Sequence, residues 1–92
     1  MKTQIYISGQ VGSTFTLYSK INSSTKFADD FEVKKHFNNY TLTFKTKKLA
    51  VDALAGAYQK IKRDGMFNNE YDSYKRGKYL SYDAGKAEIS RY

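Results

Sequence analysis

The 92-residue chain contains no cysteine and a single histidine, His36. Without cysteine there is no disulfide framework, and the composition agrees with an intracellular protein. One histidine excludes a dedicated His-rich metal site. The longest apolar run falls far short of the roughly 18 residues that a transmembrane helix requires, and the first four residues (MKTQ) do not resemble a signal peptide. We expect a soluble cytoplasmic protein that binds no cofactor and does not enter a membrane.

Acidic residues are also scarce. Nine Asp and Glu face sixteen Lys and Arg, which leaves a net charge of +7. A basic protein of this size favours anionic partners, either nucleic acid or an acidic protein surface. Aromatic residues make up 16% of the chain, and nine of them are tyrosines, which often lie half exposed at binding surfaces. Ninety-two residues suffice for one domain, which we place at 1–92.

Two segments near the N-terminus have the composition of strands. Residues 3–8 (TQIYIS) are rich in β-branched and aromatic residues, and 14–21 (TFTLYSKI) alternate between apolar and polar. Phe15, Leu17 and Ile21 then share one face. The glycines of the intervening GQVGS segment suit a tight turn. The pattern predicts a hairpin of these two segments.

The segment 27–37 is ambiguous between helix and strand, and its pattern favours the strand. Asn38-Asn39 suits a two-residue turn because asparagine tolerates the left-handed conformation. Pairing across that turn sets Phe37 against Tyr40 and Val33 against Phe44, with the apolar residues of both strands on one face. A second hairpin is therefore predicted, with a helix as the alternative.

One amphipathic helix is predicted at about residues 47–64 (KKLAVDALAGAYQKIKRD). Thr46 is a favourable N-cap residue, and Gly65 follows the last turn. Apolar residues recur at three- and four-residue steps, from Ala50 to Ile61. Gly56 interrupts this helix and indicates a close approach to the sheet.

The end of the chain predicts a further hairpin. Residues 66–78 (MFNNEYDSYKRGK) have no apolar period and predict a loop. Residues 79–82 and 87–92 form the last two strands around a four-residue loop, with a short terminal helix from Asp83 as the rival. The expected fold class is α+β: a small antiparallel sheet of hairpins with one amphipathic helix packed on one face.

No group of residues predicts catalysis. His36 is the only imidazole available as a base and lies on the polar face of a predicted strand. The Asp29-Asp30 pair has no companion at metal-ligand spacing. Gly9 and Gly12 precede a predicted strand, so they lack the helix N-terminus of a phosphate-binding loop. We expect a protein that is not an enzyme.

Basic residues form two groupings along the chain. One lies where the second hairpin joins the helix and comprises Lys45, Lys47 and Lys48 (KTKK). The other combines the end of the helix with the following loop, where basic residues alternate with tyrosines. Such a mixture suits either single-stranded nucleic acid or a protein partner, because tyrosine and arginine serve both. The predicted partner-binding residues are Lys47, Lys48, Lys60, Lys62, Arg63, Tyr71, Tyr74, Lys75, Arg76 and Lys78.

Two stretches carry a resemblance to a known group of proteins. Leu42–Ile61 (LTFKTKKLAVDALAGAYQKI) and Tyr79–Ile89 (YLSYDAGKAEI), about a third of the chain, resemble small bacteriophage-encoded accessory proteins of the anti-CRISPR type. The resemblance implies a protein of the host bacterial cytoplasm that blocks a CRISPR effector complex or nuclease by occupancy. It assigns a role to no single residue. Many such inhibitors are acidic mimics of DNA, and a net charge of +7 departs from that pattern.

Three functions are consistent with these observations. The first is a non-catalytic inhibitor that occludes a host nucleoprotein complex or nuclease through the tyrosine-rich basic loop. The second is a module that binds nucleic acid directly, single-stranded or duplex, through the phosphate backbone. The third is a structural protein of a virus particle. A steep loss of affinity with salt favours the second, and stable self-association the third.

Overall fold

The computed structural model of the protein describes residues 2–24, 31–63, 79–82 and 85–91. These residues form β1 (Thr3–Gly9), α1 (Val11–Asn22), β2 (Phe31–His36), β3 (Asn39–Phe44), α2 (Lys47–Arg63), β4 (Tyr79–Tyr82) and β5 (Gly85–Arg91). The five strands make one antiparallel sheet in the order β2-β3-β1-β5-β4. The α+β class predicted from the sequence is confirmed.

Both helices cover the same face of the sheet. On β1 the side chains of Ile5 and Ile7 are fully buried, whereas Tyr6 between them is exposed on the opposite face. Leu42 on β3 lies directly opposite Ile5, so it shares the buried face. Helix α1 contacts β1, β3 and β5, and α2 contacts β1, β3 and β4. The result is two layers around one core, with the other face of the sheet formed by polar side chains of the described strands.

Helix α2 forms where the sequence predicts it, at Lys47–Arg63. The backbone N–H of Leu49 donates to the Thr46 hydroxyl at 3.2 Å, so Thr46 caps the helix as expected. The apolar stripe faces the core and includes the buried side chains of Leu54 and Ile61. Gly56 marks a close approach, but the neighbour is the end of α1 and not the sheet. A Cβ at this position would lie 2.7 Å from the Cβ of Ser24.

The predicted strand at 14–21 is wrong, because this segment lies in helix α1. The residues buried in α1 are Ser13, Thr14, Leu17 and Ile21, which are spaced as one helical face. Phe15, expected to face the core, is 59% exposed. The Thr14 hydroxyl donates to the Val11 carbonyl at 3.0 Å, so the helix satisfies this buried hydroxyl group. The protein therefore has two helices instead of the one predicted, and β1 pairs with β3 and β5.

The β2–β3 hairpin is confirmed, but its register differs by two residues from the prediction. The turn is formed by Phe37 and Asn38, not by Asn38-Asn39. Phe31 consequently pairs with Phe44, and their ring centroids lie 4.9 Å apart. A shift by two keeps the strand residues on their predicted faces. The exception is Phe37, which was predicted to pair with Tyr40 on the apolar face but lies in the turn and is 83% exposed. The turn at Phe37-Asn38 thus allows the two phenyl rings to pack against each other, which the predicted turn would not.

The predicted last hairpin forms as β4–β5, and the alternative of a terminal helix is wrong. The register of this hairpin also differs by two residues from the prediction. Tyr82 pairs with Gly85, so Gly85 belongs to β5 and not to the predicted four-residue loop. A Cβ on Gly85 would lie 2.7 Å from the Cβ of Ser13 in α1. Glycine is therefore needed for the strand to pass beneath the helix. The predicted loop at 66–78 lies outside the described residues.

Candidate interaction surface

Lys60 of the predicted basic site has a structural contact within the protein. Its ammonium group donates to the Ser23 carbonyl at 2.5 Å and to the Ser23 hydroxyl at 2.9 Å. Ser23 is the C-cap of α1, where a cation offsets the negative end of the helix dipole. Lys60 thus connects α2 to the end of α1.

The structure describes only some of the other residues in that grouping. Arg63 is exposed at the last position of α2, and Lys62 lies beside it in the helix. Tyr71, Tyr74, Lys75, Arg76 and Lys78 lie outside the described residues. The contact loop predicted from the sequence stays a prediction.

Lys47 and Lys48 are both exposed in the first turn of α2, as expected. The structure adds Lys2 to the predicted grouping of Lys45, Lys47 and Lys48. Lys2 and Lys45 both line a pocket of about 140 Å³, whose other lining residues are Phe31, Glu32, Thr43 and Phe44. Lys2 comes from the start of β1, which is brought here by the pairing of Thr3 with Phe44. The sequence gives no signal for Lys2, because its position depends on strand order.

Strand β2 continues this basic region along the edge of the sheet. All residues of β2 after Phe31 are exposed, and they include Lys34 and Lys35 on opposite faces of the strand. Glu32 is the one carboxylate in the strand. We call the following set of exposed lysines, on or beside β2 and at the start of α2, the basic edge: Lys2, Lys34, Lys35, Lys45, Lys47 and Lys48.

Phe37 projects from the tip of the hairpin next to the basic edge. Its side chain is 83% exposed, the largest value among the exposed large hydrophobic residues of the described chain. Its backbone is left-handed, with φ of 56°. The His36 ring contacts the Phe37 ring edge-on at 4.5 Å, and the Asn38 side-chain amide donates to the Gly9 carbonyl. The tip is therefore attached to the junction of β1 and α1.

The outer flank of α1 adds further exposed apolar surface. Val11 is 71% exposed, and Phe15 follows it one turn later on the same flank. Tyr18 occupies the next turn and stacks on Tyr40 with ring centroids 4.6 Å apart. The ammonium group of Lys35 lies over the Tyr40 ring at 5.6 Å from its centroid. The α1 flank, β3 and the basic edge are thus joined by direct contacts.

The described residues contain no group of three or more His, Cys, Asp or Glu side chains arranged to hold a metal ion. None of their helices is both long enough and apolar enough to span a bilayer. His36, the only imidazole, is exposed and engaged with Phe37. The chemistry that this surface offers is cationic and apolar contact.

Comparison with known proteins yields no relative: no protein-family model, no curated protein and no solved structure matches the chain. The class that the geometry defines is a two-layer α+β domain in which both helices cover one face of a five-stranded antiparallel sheet.

Proposed function

We propose that this protein is a non-catalytic binding protein that occupies an acidic surface of a protein or nucleoprotein complex. The observation that carries the proposal is the basic edge. Its six lysines are exposed. Lys34 and Lys35 lie on the edge strand β2, in which Glu32 is the one carboxylate, and Lys2 and Lys45 line a pocket with Phe31 of that strand. Grouped cations of this kind speed the encounter with an acidic surface and favour its binding over that of basic surfaces.

The side chains around the basic edge favour a protein surface over bare nucleic acid. On the open face of the sheet, the hydroxyl of the exposed Tyr6 accepts a hydrogen bond from the Asn39 amide at 3.2 Å. Glu32 and Glu88 lie on the same open face as Lys34 and Lys86, and Lys86 pairs with Glu88 at 3.8 Å. The described part of this face therefore carries charges of both signs, not the continuous cations that follow a phosphate backbone. An aromatic anchor beside cations, as at Phe37, is typical of protein–protein hot spots.

The resemblance to anti-CRISPR proteins supports a CRISPR effector complex or nuclease as the target class. Inhibition would follow from occupancy of the effector, which prevents it from recognising or cleaving DNA. Because the chain carries +7, it does not imitate DNA. It would bind an acidic patch of the effector's protein, or the guide nucleic acid held within the complex.

The test combines capture with charge reversal. The tagged protein is incubated with purified effector complexes, each loaded with guide, before and after nuclease treatment of the mixture. We expect at least one complex to be retained and its DNA cleavage to be inhibited. A variant with Lys34→Glu, Lys35→Glu and Lys45→Glu should bind at least about 30-fold more weakly, since each reversal turns attraction into repulsion.

The control is Lys86→Glu, which reverses one charge, against three in the edge variant, at an exposed position on β5 away from the basic edge. It should bind within about threefold of the parent protein, because exposed charges more than roughly 10 Å apart are screened at 0.1 M salt. Equal loss in the control and in the edge variant would contradict a localised contact. No inhibition of any effector would contradict the target class.

Direct binding of nucleic acid is the second candidate, and one observation favours it. The half-buried Phe31 lines this pocket with Lys2 and Lys45, so an aromatic residue and two cations lie together, beside the carboxylate of Glu32. Fluorescence anisotropy with labelled single-stranded and duplex DNA tests this candidate. Affinity that falls steeply with salt on free DNA would favour it over the inhibitor.

A further inference from the structure

Phe37 occupies a backbone conformation that glycine or asparagine adopts more easily. Its φ of 56° places a bulky side chain in the left-handed region, where the Cβ approaches the following carbonyl. The same phenyl ring is 83% exposed, so little packing within the chain offsets the strain. A strained and exposed aromatic residue points to a role outside the fold.

The apolar surface at this end of the molecule extends beyond one residue. Asn38, next to Phe37, donates to the carbonyl of Gly9, and Val11 follows two residues later at the start of α1. Phe15 continues the surface along the helix. We call Phe37, Val11 and Phe15 the apolar tip. The contact from Asn38 to Gly9 attaches the hairpin to the end of β1, next to α1, so the hairpin has less conformational freedom to lose when it binds a partner.

The charge beside the apolar tip restricts the class of occupant. Lys34 and Lys35 precede the tip on β2, and Lys35 lies over Tyr40, which stacks on Tyr18 of the α1 flank. In a two-fold contact, a second copy of the chain would set these lysines against each other, which is unfavourable. A partner with carboxylates around an apolar pocket would satisfy both the rings and the cations.

We propose that the apolar tip inserts into an apolar pocket bordered by carboxylates on the protein component of the target. The inference rests on the proposed function and names the surface that performs it. Phe37 is the central anchor, Val11 and Phe15 extend the contact, and Lys34 and Lys35 pair with the acidic border. The strain at Phe37 persists because the bound state uses its ring.

Photocrosslinking tests where the tip binds. Phe37 is replaced by p-benzoylphenylalanine, which retains an aromatic ring, and the protein is irradiated in a nuclease-treated lysate of a bacterium with an active CRISPR system. Tyr6, an exposed aromatic residue on the open face, is replaced in the same way as the control. Crosslinked peptides are identified by mass spectrometry.

The expected result is a crosslink from position 37 to one protein, at apolar residues flanked by Asp or Glu. Excess parent protein should abolish the crosslink, and excess Phe37→Asn protein should not. Crosslinks to a second copy, to lipid or to nucleic acid would overturn the proposal. So would an equal pattern from position 6, or no crosslink.

Affinity for the purified crosslinked protein then separates binding from folding. Phe37→Asn should bind at least about 30-fold more weakly, the loss typical of a hot-spot aromatic residue. Phe37→Tyr keeps the ring and should stay within about threefold. The urea midpoint of Phe37→Asn should equal or exceed that of the parent, because asparagine tolerates the left-handed backbone. Unchanged affinity of Phe37→Asn would overturn the proposal.

The two proposals fail separately. If the crosslinked partner is an acidic protein unrelated to CRISPR effectors, the docking surface stands and the proposed target class is wrong. If an effector is captured and inhibited, but position 37 gives no crosslink to it, the function stands and the apolar tip is not its contact.

Discussion

At Gly56, helix α2 packs closely against the end of α1. A Cβ there would meet the Cβ of Ser24 at 2.7 Å and its hydroxyl oxygen at 2.9 Å. We expect Gly56→Ala to lower the free energy of unfolding by about 1 kcal/mol. Overpacking of a tight contact costs about 1–3 kcal/mol, and the better helix propensity of alanine returns about 1 kcal/mol. Urea denaturation monitored by circular dichroism measures the difference.

A matched control is available on the other helix. Gly12 of α1 has nothing within 4 Å of the position a Cβ would take, so Gly12→Ala should be neutral or stabilising. Adding Ser24→Gly to Gly56→Ala should remove the clash and recover most of the lost stability. If Gly56→Ala is as stable as Gly12→Ala, the helices are further apart than described.

At the scale of elements, α1 gives the sharpest test of the structure. Phe15→Ser should change the free energy of unfolding by less than about 0.5 kcal/mol, because Phe15 is exposed on the outer flank. Leu17→Ala should cost about 2–5 kcal/mol, because its side chain is fully buried. A strand at 14–21 places both residues in the core, so similar large losses would support the strand and contradict the helix. Urea midpoints of the two variants decide between them.

The helix at 11–22 was not predictable from the local pattern, because the segment fits two periods. Leu17 and Ile21 are four residues apart, which suits a strand face and a helix face equally. Phe15 decided the sequence prediction in favour of the strand, since a large apolar residue was expected to be buried. In the structure Phe15 lies on the exposed flank of α1, and the periodicity of the sequence does not predict this exposure. Helix α2 has no such conflict, and its cap and stripe were predicted correctly.

The sequence predicts that the β2–β3 and β4–β5 hairpins form, but it does not predict their registers, because these depend on contacts with residues far away in the chain. Local turn chemistry favours Asn38-Asn39, whereas the observed turn allows Phe31 to stack on Phe44. Gly85 is a residue type common in turns, yet it lies in β5, where the close approach of Ser13 leaves no room for a Cβ. Among the candidate site residues, Lys47 and Lys48 were predicted. Lys2 could not be, since only the pairing of β1 with β3 brings it to them.

At the scale of the whole molecule, the order of strands determines which residues form the basic edge. Strand β1 lies at the centre of the sheet, between β3 and β5, and Tyr6 pairs directly with Glu88. If β1 instead paired with residues 14–21, Lys2 would not lie beside Phe44 and Lys45. The arrangement of the candidate surface is therefore a consequence of the topology and can be tested through it.

A disulfide between β1 and β5 makes that test, and the natural absence of cysteine leaves no competing thiol. Tyr6→Cys with Glu88→Cys places two sulfurs on directly opposed residues, whose Cβ atoms lie about 4.5–5.5 Å apart in such pairs. We expect oxidation to go to completion and to raise the free energy of unfolding by about 2–4 kcal/mol, because the bond closes a long loop in the unfolded chain.

Tyr6→Cys with Lys86→Cys is the matched control, since Lys86 pairs with Ser8 and lies diagonal to Tyr6. It should oxidise more slowly and stabilise less. Thiol titration after oxidation measures the yields, and equal or reversed yields would place β5 in another register or remove it from beside β1.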